Sequence, residues 1–164
     1  MLLQASLSLI AAMLIHELGH LLAARACRVP ATELGLGWGP RVWGFGAGEV
    51  EFKLHALPVG AYVRLDVRLL QERPLSQQVL VLLAGIVVNL CAAAACPGTV
   101  FGAMNLLLAA TNLLPFYQQD GWKCGIVMLR ALSPKRRSAL VEWTFTVAGA
   151  CASVALIAAQ LIRR

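Results

Sequence analysis

His16, Glu17 and His20 form an H-E-x-x-H pattern in the run His16-Glu17-Leu18-Gly19-His20. On a helix, residues four apart share one face a turn apart, so the two imidazoles converge with a carboxylate beside them. Imidazole is a good zinc ligand, and a carboxylate next to the metal can take a proton from its water. The chemistry open to this set is hydrolysis. Its flanks are unusual for that chemistry: residues 2–15 and 21–24 are almost wholly apolar. Ionisable groups in lipid are costly, and by default they mark function. The pattern points to hydrolysis carried out within a membrane.

A catalytic zinc takes three protein ligands and keeps a fourth position open. One zinc per chain is expected, with His16 and His20 as two ligands. Candidates for the third are Asp120, Glu142, Cys124 and His55. Depth separates them. At about 1.5 Å per residue, His16 lies about 13 Å from the basic flank at Arg25, and Asp120 about 15 Å from the one at Arg130. Asp120 can therefore meet the histidines at similar depth. Glu142 lies near a basic flank and can snorkel towards water. An N-cap after a helix break would also suit Asp120, and the two roles are compatible. Glu17 is the natural general base.

The elements that must carry these groups are set by composition. The chain has 164 residues, 59% hydrophobic and 13% charged, where a soluble domain carries about 25% charged residues. An all-α polytopic membrane protein is expected, a single domain with four transmembrane helices at 2–26, 75–96, 99–132 and 138–162. The third is broken, because Pro115 lacks an amide hydrogen and its ring clashes with the preceding turn. Irregular backbone at membrane depth needs protein or a water-filled cavity around it. The net charge of +6 lies in two loops. Arg25, Arg28, Arg41, Lys53, Arg64, Arg68 and Arg73 fall between the first and second helices; Arg130, Lys135, Arg136 and Arg137 fall between the third and fourth. The positive-inside rule makes both loops cytoplasmic, with the active site nearer that side; Arg163 and Arg164 oppose this mildly. The bilayer accounts for the charge, so no nucleic-acid partner is expected. A cleaved signal peptide is disfavoured, since a basic leading region is missing and cleavage would discard the zinc motif. Five cysteines without C-x-x-C pairing read as small buried hydrophobes.

Residues 30–65 form a different kind of segment, rich in glycine. Between Glu49 and His55 the pattern alternates: Val50, Phe52 and Leu54 face one way, Glu49, Glu51, Lys53 and His55 the other. Period two means a half-buried strand. Further strands are expected near 41–45 and 60–65, with a turn at Ala47-Gly48. This small membrane-associated β-hairpin can cover the helices. It can also offer residues Val50, Glu51, Phe52, Lys53 and Leu54 as an edge that receives an extended substrate. Asn89 and Asn112 are further polar groups at membrane depth. They either bond between helices or hold substrate and the developing oxyanion.

These residues together resemble the site-2 protease family of intramembrane zinc metalloproteases. His16-Glu17-Leu18-Gly19-His20 looks like its first motif. Residues 112–121, Asn-Leu-Leu-Pro-Phe-Tyr-Gln-Gln-Asp-Gly, are similar to its N-x-x-P-x-x-x-x-D-G, which carries the third zinc ligand. Gly85 to Asn89 resembles its G-P-x-x-N, with Ile86 in place of proline, and residues 57–63 resemble its L-P-x-G-G-Y-V, with Ala61 in place of glycine. The resemblance implies a minimal member without a PDZ or CBS domain. It implies cleavage of a peptide bond in or near the transmembrane segment of a membrane-protein substrate. The alternative is an inactive relative that binds membrane proteins as a scaffold or chaperone. Substrate identity and oligomeric state are not readable from the residues.

Overall fold

The computed structural model describes residues 2–132 and 138–162. Its elements are α1 (Leu2–Ala26), β1 (Ala31–Ala47), β2 (Val50–Leu65), α2 (Val67–Glu72), α3 (Leu75–Ala95), α4 (Val100–Leu113), α5 (Asp120–Leu132) and α6 (Ser138–Ile162). Lys135, Arg136, Arg137, Arg163 and Arg164, which enter the charge argument, lie outside the described residues. The chain divides into two compact units, Met1–Ala110 and Thr111–Arg164.

In the first unit, α1 has 25 residues, about 38 Å at 1.5 Å per residue, against a hydrocarbon core of about 30 Å. Its buried residues are Ala12, His16, Gly19, His20, Leu21 and Ala24. Ala12, His16, Gly19, His20 and Ala24 make one stripe, and Leu21 packs against the hairpin residues Ala31, Leu34 and Val50. The outer face is apolar as well, with Leu3, Leu7 and Leu22 exposed. A helix apolar all round suits a lipid surround. α3 meets the stripe with Val81, Ala84, Gly85 and Asn89. Lipid offers no hydrophobic drive to pair helices, so small residues that let backbones touch must do it. A Cβ on Gly19 would stand 2.9 Å from both the Ala84 carbonyl oxygen and Val88 Cγ2. Among the described residues, α1 and α3 are the helices long and apolar enough to cross a bilayer; α4 and Ala139–Ala155 are apolar but shorter.

β1 and β2 form one bent antiparallel ribbon. A tight turn at 48–49 joins them, with Gly48 at φ +65°. β1 starts at Ala31, well before the strand expected near 41. Its early part, Glu33 to Leu36, takes partners on both sides: 61–64 along one edge and 51–54 along the other. The alternation in 50–55 sorts the faces. Val50 packs with Leu21, Ala31 and Leu34, and Phe52 stacks on Phe45 at 4.9 Å between ring centres. On the opposite face Lys53 bridges Glu33 (2.9 Å) and Glu51 (3.2 Å), Arg64 pairs with Glu33, and Arg41 pairs with Glu51. The Lys53 ammonium holds both carboxyls below their ordinary range. Depressed carboxyls favour the folded hairpin above their ordinary pKa, and this contribution fades as pH falls through the depressed values. α2 was not anticipated. It is six residues long, too short for periodicity to show, and is started by Asp66, whose carboxylate accepts from the Arg68 and Leu69 amides.

The expected single broken span is two separate helices, α4 and α5. The chain leaves α4 at Leu113, ahead of Pro115, and resumes helix at Asp120. Between them Gln118 sits at φ +71°. α5 packs on α6. Arg130 grips Glu142 with two bonds, Nε to Oε1 at 2.8 Å and Nη2 to Oε2 at 2.9 Å. The cysteines split between environments: Cys27 and Cys124 are buried as expected, whereas Cys91 and Cys151 are exposed.

The α1–α3 contact yields a direct test. Gly19→Val forces side-chain carbon into the Ala84 carbonyl and should lower stability by about 1–3 kcal/mol, read as a lower thermal midpoint in mild detergent.

Candidate metal centre

His16 and His20 sit on the buried stripe of α1, 4% and 6% exposed. Their rings are nearly perpendicular, with centres 4.8 Å apart and the two Nε2 atoms 3.1 Å apart. The other nitrogen of each ring decides its tautomer. His20 Nδ1 lies 2.7 Å from the Val81 carbonyl oxygen. A carbonyl only accepts, so Nδ1 carries the proton. His16 Nδ1 lies 2.7 Å from Asn89 Oδ1. The orientation of that amide is set by its other end, because Nδ2 donates to the Ala12 carbonyl at 3.2 Å. His16 Nδ1 therefore carries a proton too. In the neutral rings both Nε2 atoms are left with lone pairs, and the lone pairs face one another. A metal or a proton placed there would be held by both nitrogens. Zinc binds neutral imidazole, and an acceptor behind the distal N–H is its usual support. The donor set fits zinc.

Gly85 keeps this space open. A Cβ there would lie 2.6 Å from His20 Nε2 and 2.7 Å from His16 Nε2. Glu17, the next residue on α1, is half-buried.

The structure brings some of the expected residues together and reassigns others. His16, His20 and Asn89 meet. Asn89 is fully buried, and its amide is committed to His16, Ala12 and Asn105. It bonds between helices and holds a histidine, the first of the two roles open to it in the sequence. Residues 51–54 were expected to offer a strand edge. They are instead paired on both sides, with 43–46 and with 33–36, so an added strand finds no edge there. Val50 is buried against α1 residue Leu21. Asn112 lies in the last turn of α4, half-buried. Asp120 is the first residue of α5 and is buried; Lys123 donates to its Oδ1 at 2.9 Å. Of the other third-ligand candidates, Glu142 is gripped by Arg130. His55 is tied into the hairpin, with Nδ1 2.8 Å from the Gly39 carbonyl and Nε2 3.3 Å from the Tyr62 hydroxyl. Sequence reasoning passed over Asn105, which is fully buried on α4.

The sequence pattern of peptidase family M50 matches residues 4–102. The chain belongs to peptidase family M50. The match takes in the histidine pair, the hairpin and Gly85 to Asn89, so the site-2 protease resemblance holds. The motif at 112–121 lies beyond it. Among curated relatives, a candidate zinc metalloprotease of Nostoc is 34% identical over 89 residues, 47% of this chain and 24% of that protein. A candidate chloroplastic membrane metalloprotease of Arabidopsis thaliana is 35% identical over 99 residues, 53% of this chain and 22% of that protein. A candidate zinc metalloprotease of Clostridium perfringens is 34% identical over 93 residues, 52% and 28% of the two chains. The chain spans about a quarter of the length of these relatives.

Within this M50 site, Gly85→Ala should lower zinc affinity by at least about tenfold, the scale on which disturbed supporting shells act. Metal content read beside an unchanged helical circular-dichroism signal checks it.

Proposed function

We propose that this chain is a zinc metalloendopeptidase that cuts a peptide bond in or near the transmembrane segment of a membrane-protein substrate. One observation carries the reading: two imidazoles one turn apart on an apolar helix bring their Nε2 atoms to 3.1 Å, each Nδ1 facing an acceptor. Family membership and the names of the relatives support it.

In this reading His16, His20 and Asp120 hold the metal. Asp120 is a buried carboxylate whose distance from its basic flank matches that of His16, and Lys123 fixes one of its oxygens. Bound zinc would polarise water and the scissile carbonyl, lowering the water's pKa to about 7. Glu17 takes the proton as the water oxygen attacks the carbonyl carbon. As the C–N bond breaks, Glu17 returns that proton to the departing amine. A helical substrate shields its carbonyls and must unwind locally before this can happen. Asn112 is proposed to hold the substrate backbone or the oxyanion.

The membrane arrangement is part of the proposal. α1 and α3 cross the bilayer, α4 with α5 makes a broken third passage, and α6 makes a fourth. The basic loops face the cytoplasm. No observation favours the scaffold reading.

Glu17→Gln should keep the fold and the metal and lose cleavage by about 10²-fold or more, the typical worth of a general base. The assay is cleavage of a single-span model substrate in proteoliposomes. Near-normal turnover by Glu17→Gln would sink the mechanism.

A further inference from the structure

The tautomer of His16 is set by Asn89, so whatever fixes the Asn89 amide fixes the ligand. An amide can rotate by half a turn at little intrinsic cost, exchanging its oxygen for its NH₂. If Asn89 turned over, its Nδ2 would face His16 Nδ1 and His16 would have to accept there. The ring proton would then sit on Nε2, and His16 could no longer offer that atom to a metal.

Two acceptors hold Nδ2 in place. One is the Ala12 carbonyl at 3.2 Å. The other, closer, is Asn105 Oδ1 at 2.9 Å. Asn105 is an amide too, and its own orientation needs a reason. Its Nδ2 donates to the Phe101 carbonyl at 2.9 Å, one turn back on α4. A backbone carbonyl cannot donate, so Asn105 has to present its oxygen to Asn89. The polarity then runs one way, from the Phe101 carbonyl through Asn105 and Asn89 to His16.

The placement follows from the chain. Asn89 lies seven residues before Cys96, and Asn105 seven after Gly98. The intervening turn is tight, with Gly98 at φ +71°. At about 1.5 Å per residue each asparagine is about 10 Å from that turn, so the two stand level across the α3–α4 hairpin. Both are fully buried. A buried amide pair in lipid is worth only about 0.6 kcal/mol on average, so stability alone is a weak reason for it.

We propose that Asn105 is a positioning residue for the metal centre: through Asn89 it locks His16 in the Nδ1–H tautomer and so presents Nε2 as a ligand. That this ligand serves zinc rests on the function proposed above. The tautomer itself does not, and the experiment separates the two.

The chain has three histidines, His16, His20 and His55, so long-range ¹⁵N–¹H spectra of the zinc-free protein in detergent are assignable by single substitution. Wild type should show His16 as Nδ1–H. Asn105→Leu, which keeps the branched shape and removes the acceptor, should populate the Nε2–H form and weaken zinc binding about tenfold, the low end for supporting-shell changes. Asn105→Asp keeps an oxygen towards Asn89 and should retain the wild-type tautomer. An Nε2–H signal for His16 in wild type would overturn the proposal. So would a folded Asn105→Leu with wild-type tautomer and zinc affinity. If Asn105→Leu fails to fold, wild type and Asn105→Asp decide it. A wild type with the Nδ1–H tautomer that takes up no zinc would contradict the proposed function and leave the relay standing.

Discussion

An imidazole pair inside an apolar helix contact is tolerable only if every ring nitrogen is provided for. The rest of the first unit follows from that constraint. The two Nδ1 atoms find a backbone carbonyl and a side-chain amide on α3. Those acceptors reach the rings only because α1 and α3 pack closely, through Gly19 and Gly85. The glycines permit the approach, and the approach supplies the acceptors. The acceptors then commit both Nε2 lone pairs to one shared space. That shared space, which a Cβ on Gly85 would fill, is where the proposed metal would sit.

The same logic separates structural charges from chemical ones. Glu33 and Glu51 are paired with Lys53, Arg64 and Arg41 on the polar face of the hairpin, and Glu142 is paired with Arg130 between α5 and α6. Each set meets its own needs locally. His16 and His20 instead turn the same ring nitrogen to one another across 3.1 Å, on an apolar helix where ionisable groups mark function.

Much of this was legible in the residues. The H-E-x-x-H spacing defines a helical face, and the long apolar run around it gives α1. Alternation from 49 to 55 gives β2 and its two faces. Pro115 marks where α4 stops. What escaped depends on pairings that spacing along one segment cannot show. Alternation reveals that 50–54 is a strand, yet is silent on whether its edges are open; β1 turns out to occupy both sides of 51–54. Asn89 could bond between helices or contact substrate, and its partner, 73 positions away on another helix, shows the interhelical bond. Asn105 was passed over in its apolar run. Its equal distance from the Pro97-Gly98 turn was the available signal, and it matters only once the turn is known to be tight. α2 escaped because six residues give no period.

The proposed zinc centre has His16, His20 and Asp120 as its ligands, and metal analysis of purified wild type and Asp120→Ala in mild detergent tests it. About one zinc per wild-type chain and far less in the variant are expected, as a three-ligand catalytic site requires. A folded wild type that takes up no zinc even when zinc is supplied, or an Asp120→Ala chain that holds it fully, would contradict it.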